Sequence, residues 1–375
     1  MRGRHAGAAL LGAALGAAAP VALADPASAA APRIRVLVAE GAASVRVEPL
    51  DPSGARAEAP STSVAWSAGT LVRDGEAVGG RLRFEDAASW RVGSLRVRGA
   101  VELLAEDRGI AVVNELPLED YVCGTLGVES FAGWGREALR AQAVVARTYA
   151  VHEQRRRART GRPYDLRATT TSQRYGGLDA ESEPVRAATR DTAGEVLLYD
   201  GAPILAVYHA ASGGRTASAA EVWNEPLPYL RTVPVEGEEI APDTYWRAQV
   251  SPAALSRALA SLGCSVGAVS GIEVTERSES GRARLLRVVG SGGEASVLGT
   301  ALRAALGESL LRSTLFDVRP LARGAFLFVG SGSGHGVGLS QWGAFAMATR
   351  GADYRAILAR FYPGTSLERI TRGAR

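Results

Sequence analysis

Between Asn114 and Arg159 the sequence leaves the chain little freedom in how it folds. From about Arg136 to Arg159, alanine, leucine, arginine and glutamine dominate, and Gly161 and Pro163 follow. The run predicts one long helix with a stop behind it. Leu139, Ala143, Ala146 and Ala150 fall on one face at helical spacing, and their small side chains let a neighbour approach closely. Pro117, with Glu119 and Asp120 behind it, predicts a second helix start, with proline at the first position and acids in the first turn. Between the two starts, a turn-rich segment carries Glu129 beside Phe131 and Trp134. A carboxyl among aromatics is a candidate proton donor, because apolar surroundings disfavour its ionised form and raise its pKa.

The first residues bear on where such a donor would act. Arg2 and Arg4, the apolar run 6–19 and the small-x-small pattern Ala22-Leu23-Ala24 read as a secretory signal over 1–24. The run is shorter than the roughly 20 residues a membrane span needs, so no stable span is expected once the signal is removed. The formal charge of +4 loses two units with Arg2 and Arg4. The remaining basic residues are essentially all arginine, and the run Arg155, Arg156, Arg157 and Arg159 closes the long helix, where it complements the helix dipole as a solvated face. No nucleic-acid partner is expected. Two cysteines, Cys123 and Cys264, allow one disulfide in an exported chain, but their pairing is not readable from sequence. No cysteine–histidine cluster has metal-ligand spacing, and His152-Glu153 begins a zinc-protease pattern whose second histidine is replaced by Arg156.

Residues 25–105 read as a β-rich region, with short alternating runs at 34–38, 44–48, 81–84 and 95–98 and another strand at 110–113. A mixed core is expected over 106–240 and again over 323–375. It includes a helix at 184–193 and a hairpin of 196–199 and 204–209 around Asp200-Gly201. Residues 241–322 read as an inserted α/β accessory module: a helix opened by Ser251-Pro252, strands at 271–276 and 284–289, and a helix at 298–306. The fold class is therefore α+β.

Three glycine- or serine-rich segments compete as sites. Gly263-Cys-Ser-Val-Gly267 matches the nucleophile-elbow pattern, with Asp317 and His335 in the matching chain order, but a helix precedes it and strands follow, the reverse of what that turn requires. Gly330 to Gly338 superficially matches a dinucleotide loop, yet no βαβ unit follows, so a tight loop whose glycines admit a close approach is the better reading. His335 is its titratable group, and a bond to neighbouring backbone is an equally good account of it. His209-Ala-Ala-Ser-Gly-Gly-Arg-Thr216 offers amides and hydroxyls suited to an oxygen-rich ligand, or is a plain strand-to-loop turn.

Four segments taken in order, 116–150 (LPLEDYVCGTLGVESFAGWGREALRAQAVVARTYA), 169–177 (TTTSQRYGG), 208–230 (YHAASGGRTASAAEVWNEPLPYL) and 334–365 (GHGVGLSQWGAFAMATRGADYRAILARFYPGT), resemble the stage II sporulation protein D (SpoIID/LytB) family. The resemblance covers about half of the chain. It implies an exported peptidoglycan lytic transglycosylase, secreted or periplasmic and cell-wall associated. Such an enzyme cleaves between N-acetylmuramic acid and N-acetylglucosamine on peptide-stripped strands and leaves 1,6-anhydro ends. The family's catalytic glutamate falls on Glu129. Some members are described as amidase enhancers, so an N-acetylmuramoyl-L-alanine amidase is an implied partner. Some bind zinc through a histidine and two cysteines near this HAASGGRT segment; here His209 has no cysteine nearby, so no metal and no other cofactor is expected. Ser172, Gln173, His209, Ser212, Gly213, Gly214, His335 and Gln341 are the motif residues expected to bind substrate. Arg147 matches the family's arginine on the long helix and is expected to hold the lactyl carboxylate, because a pairing with Glu129 would lower that acid's pKa. One carboxyl suffices for this reaction, since the muramic 6-hydroxyl attacks within its own sugar. Glu119 and Asp120 are available as a second acid, though their place in a helix's first turn accounts for them. A non-catalytic amidase enhancer and a hydrolytic muramidase are the alternatives.

Overall fold

The structure, a computed structural model, describes residues 32–51, 54–130, 133–242 and 244–370. It is a mixed α+β fold whose described residues form three large apolar cores and one small apolar cluster (Leu37, Ala111, Val113 and Tyr164), and the long helix lies between two of the large ones. The expected signal at 1–24 lies outside the described residues. No described helix is long and apolar enough to cross a membrane.

Residues 33–117, with the short strand 166–167 added in parallel at one edge, form two antiparallel-rich sheets. A five-stranded sheet has the order 166–167, 33–42, 109–117, 100–106, 81–84; a six-stranded one runs 76–79, 70–73, 62–67, 44–50, 89–92, 95–98. The alternating runs supply the inward face: Val45, Val47 and Val97 are buried while their neighbours are exposed or half-buried. The strands at 62–79 and 100–106 were not among the sequence expectations, since their alternation is broken by small and polar residues.

Helix α1 (Leu118–Glu129) starts behind Pro117 as expected, but it continues through Gly124 and Gly127 as far as Glu129. The sequence reads that stretch as turns because glycine disfavours helix. Here the glycines are required by packing: a Cβ on Gly124 would lie 2.7 Å from the Tyr175 ring, and one on Gly127 would collide with the Ala180 carbonyl. Helix α2 (Arg136–Arg157) follows. Its Leu139, Ala143, Ala150 and Val151 pack into the core shared with the β-sheets and α1. Its Ala141, Val144 and Val145 pack into a second core with Ile204, Leu339, Ile357 and Phe361. A helix apolar on both sides is a central helix, and alanine keeps both neighbours close.

Asp200 and Gly201, with φ of 49° and 74°, close the expected two-residue hairpin, but its return strand is only Ala202–Pro203. The chain then runs on to Tyr208–His209, which pairs in parallel with Leu339–Ser340. That pairing draws the 330–338 loop against the same side of the core as His209. Residues 246–330 build the third core, around Trp246, Leu286, Leu302, Phe316 and Phe328. The helices at 252–261 and 299–306 and the strands at 269–277 and 283–290 match the expected ones closely. The strand at 326–330 joins this module back to the 330–338 loop.

Candidate active site

Glu129 is the last residue of α1, at the negative end of the helix dipole, where a carboxylate is disfavoured. Its backbone carbonyl accepts from Gln341 Nε2 at 2.8 Å, which ties the end of α1 to the helix at 341–349. Its Oε1 accepts from the Arg174 backbone amide at 2.7 Å. The Tyr208 hydroxyl also reaches the carboxyl and favours its anion. Tyr208 is held in turn by Gln173, whose Nε2 donates to the phenol oxygen at 3.3 Å and whose Oε1 accepts from Tyr121 at 2.9 Å. Burial opposes these donors and dominates, so the Glu129 carboxyl titrates above the ordinary glutamate range. Arg147 takes no part in that balance.

The carboxyl opens on a cleft of about 750 Å³. Trp134 and Trp342 line one side, with ring centroids 5.3 Å apart and Phe345 packed against both. Ser172, Arg174, Tyr149 and Tyr208 line another. Phe131, expected beside Glu129, lies outside the described residues. Of the residues singled out in the sequence, the cleft brings together Glu129, Ser172, His209, His335 and Gln341. Gln173 is buried just beneath and acts on Glu129 through Tyr208.

Four expectations are corrected. Arg147 is fully buried and cannot meet a substrate. Its guanidinium forms a two-pronged pair with Glu119, Nε–Oε1 at 2.9 Å and Nη2–Oε2 at 2.6 Å, and donates to the Glu195 and Thr189 carbonyls. Glu119 accepts the Gly194 amide as well, so it is structural too. Ser212, Gly213 and Gly214 do not line the cleft. Ser212 is fully buried and donates through both its hydroxyl and its amide to Glu238; the Gly214 amide and the Ser340 hydroxyl donate to the same carboxylate. Gly213 packs against Ser331. The segment does hold an oxygen-rich anion, but that anion is the protein's own Glu238. Glu238 lies 26 residues beyond Ser212, with no motif to mark it.

The two histidines are 5.6 Å apart between ring centroids. His209 Nδ1 lies 3.0 Å from the Val337 carbonyl, leaving its buried Nε2 without a partner; His335 Nδ1 accepts the Val337 amide at 3.0 Å. Burial pushes His335 down to about 4 and His209 well below the usual imidazole range, so both are neutral at neutral pH. The 330–338 loop comes this close because Gly334, at φ 103°, leaves room for the His209 Cβ 2.8 Å from where its own would stand. Zinc does not fit the segment: one imidazole is present without a thiolate. Cys123 is buried in α1, Cys264 belongs to the 246–330 module, and both are free thiols. Among the described residues no group of three or more metal-ligating side chains converges.

The sequence reading missed Tyr208, Arg174, Trp342 and the module residues Arg303 and Glu308, all of which line the cleft. Tyr208, Arg174 and Trp342 each stand inside a quoted motif, next to a residue expected to bind substrate, which was the signal available. Arg303 and Glu308 stand in a helix and turn of ordinary composition, which carry none.

Comparison with known protein families matches residues 106–199 to the stage II sporulation protein family and residues 236–338 to a domain of unknown function. Among individual proteins, the chain is 32% identical to an uncharacterized protein of Brachyspira hyodysenteriae, over 76% of this chain and 75% of the other. It is 31% identical to the amidase enhancer of Bacillus subtilis, over 65% of this chain and 40% of that protein. It is 28% identical to stage II sporulation protein D of Bacillus subtilis, over 68% and 75%.

Proposed function

This chain belongs to the SpoIID/LytB family, and we propose that it is a lytic transglycosylase of bacterial cell-wall glycan, exported and using Glu129 as both acid and base. The observation that carries this reading is the place of Glu129: a carboxyl at a helix C-terminus, buried enough to titrate high, facing a cleft walled by tryptophans. Protonated Glu129 gives its proton to the glycosidic oxygen as the bond from muramic C1 to that oxygen breaks. The resulting carboxylate, met by the Arg174 amide and the Tyr208 hydroxyl, takes the proton from the muramic 6-hydroxyl as O6 bonds to C1. Glutamic acid is regenerated, a 1,6-anhydro end is left, and no water is consumed. The tryptophans suit sugar faces, and the opposite side of the cleft carries hydroxyls and amides for the ring substituents.

The other cleft carboxyl, Glu308, is exposed and paired with Arg303, which favours the one-carboxyl route over a hydrolytic muramidase. The amidase-enhancer relative supports a cell-wall role and an amidase as partner. The test is mass spectrometry of products from peptide-stripped peptidoglycan with wild type and Glu129→Gln. Anhydro ends that disappear in the variant are expected. Reducing ends would instead mean hydrolysis, and an absence of products with wild type would leave the non-catalytic enhancer role.

A further inference from the structure

The catalytic cleft continues into a second cavity of about 300 Å³, at the junction of the core and the 246–330 module. Arg303, Glu308, Gly334 and His335 line both spaces, so the two are contiguous. One wall is Trp223, an indole left 41% exposed with its ring 5.3 Å from that of His335. Lining a cavity with a polar rim, that indole offers a flat apolar face of the kind on which a sugar ring lies. Arg303 lines the cavity as well. Its guanidinium is held from behind by the Leu311 carbonyl on Nε at 2.9 Å and the Arg312 carbonyl on Nη2 at 3.3 Å. Its side chain is only 12% exposed, and the partner on its cleft side, Glu308 at 2.8 Å from Nη1, is 71% exposed. An arginine fixed by backbone and faced by so open a carboxylate is a preset carboxylate receptor, because an ion pair this exposed to water exchanges at little cost.

We infer that this cavity is an additional saccharide subsite, built jointly by core and module, which takes one sugar unit bearing a free carboxylate, its ring on Trp223 and its carboxylate on Arg303 in exchange for Glu308. The volume fits a single unit, being at the lower end of the about 300–1,000 Å³ that ligand sites occupy. In cell-wall glycan the unit of that chemistry is a muramyl residue whose peptide has been removed. The subsite therefore assigns to the module the carboxylate recognition that buried Arg147 cannot perform. The inference rests on the reading of the Glu129 cleft as a glycan site.

The test is binding, by calorimetry with the non-cleaving Glu129→Gln protein, of two soluble glycan oligosaccharides. One has free muramyl carboxylates and the other has them converted to methyl amides. Arg303→Ala is expected to weaken binding of the free-acid strand about tenfold or more and to leave the amidated strand unchanged. Trp223→Ala weakens both alike. Glu308→Gln, at an exposed position where folding is not at stake, tightens the free-acid strand severalfold. Equal effects of Arg303→Ala on both strands, or no gain from Glu308→Gln, overturns the subsite. Carboxylate-dependent binding in a protein whose wild type cleaves nothing would sink the catalytic reading and leave the subsite standing.

Discussion

Replacing Arg147 by alanine tests whether the buried arginine of the long helix serves substrate or fold. The side chain is completely buried and makes two bonds to Glu119 and two more to the Glu195 and Thr189 carbonyls. Breaking a buried pair by removing one partner costs about 3–5 kcal/mol. Glu119 is 38% exposed, so water recovers part of its charge and places the loss near the lower end, about 3 kcal/mol. At about 2–4 °C per kcal/mol for domains of this general size, Tm should fall by about 6–12 °C. The geometry also makes the pair asymmetric. Glu119→Ala strands a fully buried guanidinium, whereas Arg147→Ala strands a carboxylate that water can reach, so Glu119→Ala should be the more destabilising. The double change Glu119→Leu with Arg147→Met should cost less than the two alanine losses added, because it leaves no orphaned charge. Urea unfolding measures all three. Cleavage assays well below the lowered Tm should show Arg147→Ala equally affected on stripped and peptide-bearing glycan. An unchanged Tm together with a selective loss on stripped strands would refute the structural account and restore Arg147 as a carboxylate binder.

Four other perturbations follow from the same geometry. Gly127→Ala forces a methyl group into the Ala180 carbonyl one helical half-turn before Glu129; it should cost about 1–3 kcal/mol or more and lower kcat sharply, whereas a variant with wild-type Tm and kcat would show the contact to be absent. Burial raises the folded pKa of Glu129, so that residue contributes stability below the ordinary glutamate range which is lost as pH rises through its folded value. Glu129→Gln should therefore match wild type near pH 4 and exceed it in urea midpoint at neutral pH, while Tyr208→Phe, which removes a bond favouring the anion, should move the alkaline limb of kcat/KM upward. Finally, with both cysteines free, a maleimide should label Cys264 in the folded protein but leave buried Cys123, whose thiol is pushed up to about 12, until denaturant is added; a reductant should not change Tm.

What the sequence made legible, and what it hid, follows the range of the forces involved. The α2 helix, the 252–261 and 299–306 helices and the Asp200-Gly201 turn are local features, decided by propensity and spacing within a few residues. The extension of α1 through Gly124 and Gly127 was hidden because the residues that select glycine there, Tyr175 and Ala180, lie about fifty positions on. For the same reason the HAASGGRT segment looked available to a ligand: nothing near it in sequence shows that Glu238 already occupies its donors. Glu129 was legible through its neighbourhood, yet its two partners were not. Arg174 acts through a backbone amide, which no side-chain pattern encodes, and Tyr208 reaches the site through the parallel pairing of 208–209 with 339–340.

In the proposed mechanism those two partners let one carboxyl serve twice. An acid–base group that works in both directions needs a pKa raised enough to hold a proton before the bond breaks, and not so high that the anion fails to form afterwards. Burial and the helix C-terminus together supply the rise. Taken alone, they would leave the anion stranded in an apolar wall. The Arg174 amide and the Tyr208 hydroxyl, the latter steadied by Gln173 and Tyr121, limit that rise, and the Arg174 guanidinium, bonded to the Val128 carbonyl and not to the carboxyl, adds its charge to the same effect. A guanidinium bonded there would hold the carboxylate ionised and remove the acid role. The Arg147 guanidinium, on the next helix, is bound to Glu119 and is not among the groups that shift the Glu129 carboxyl.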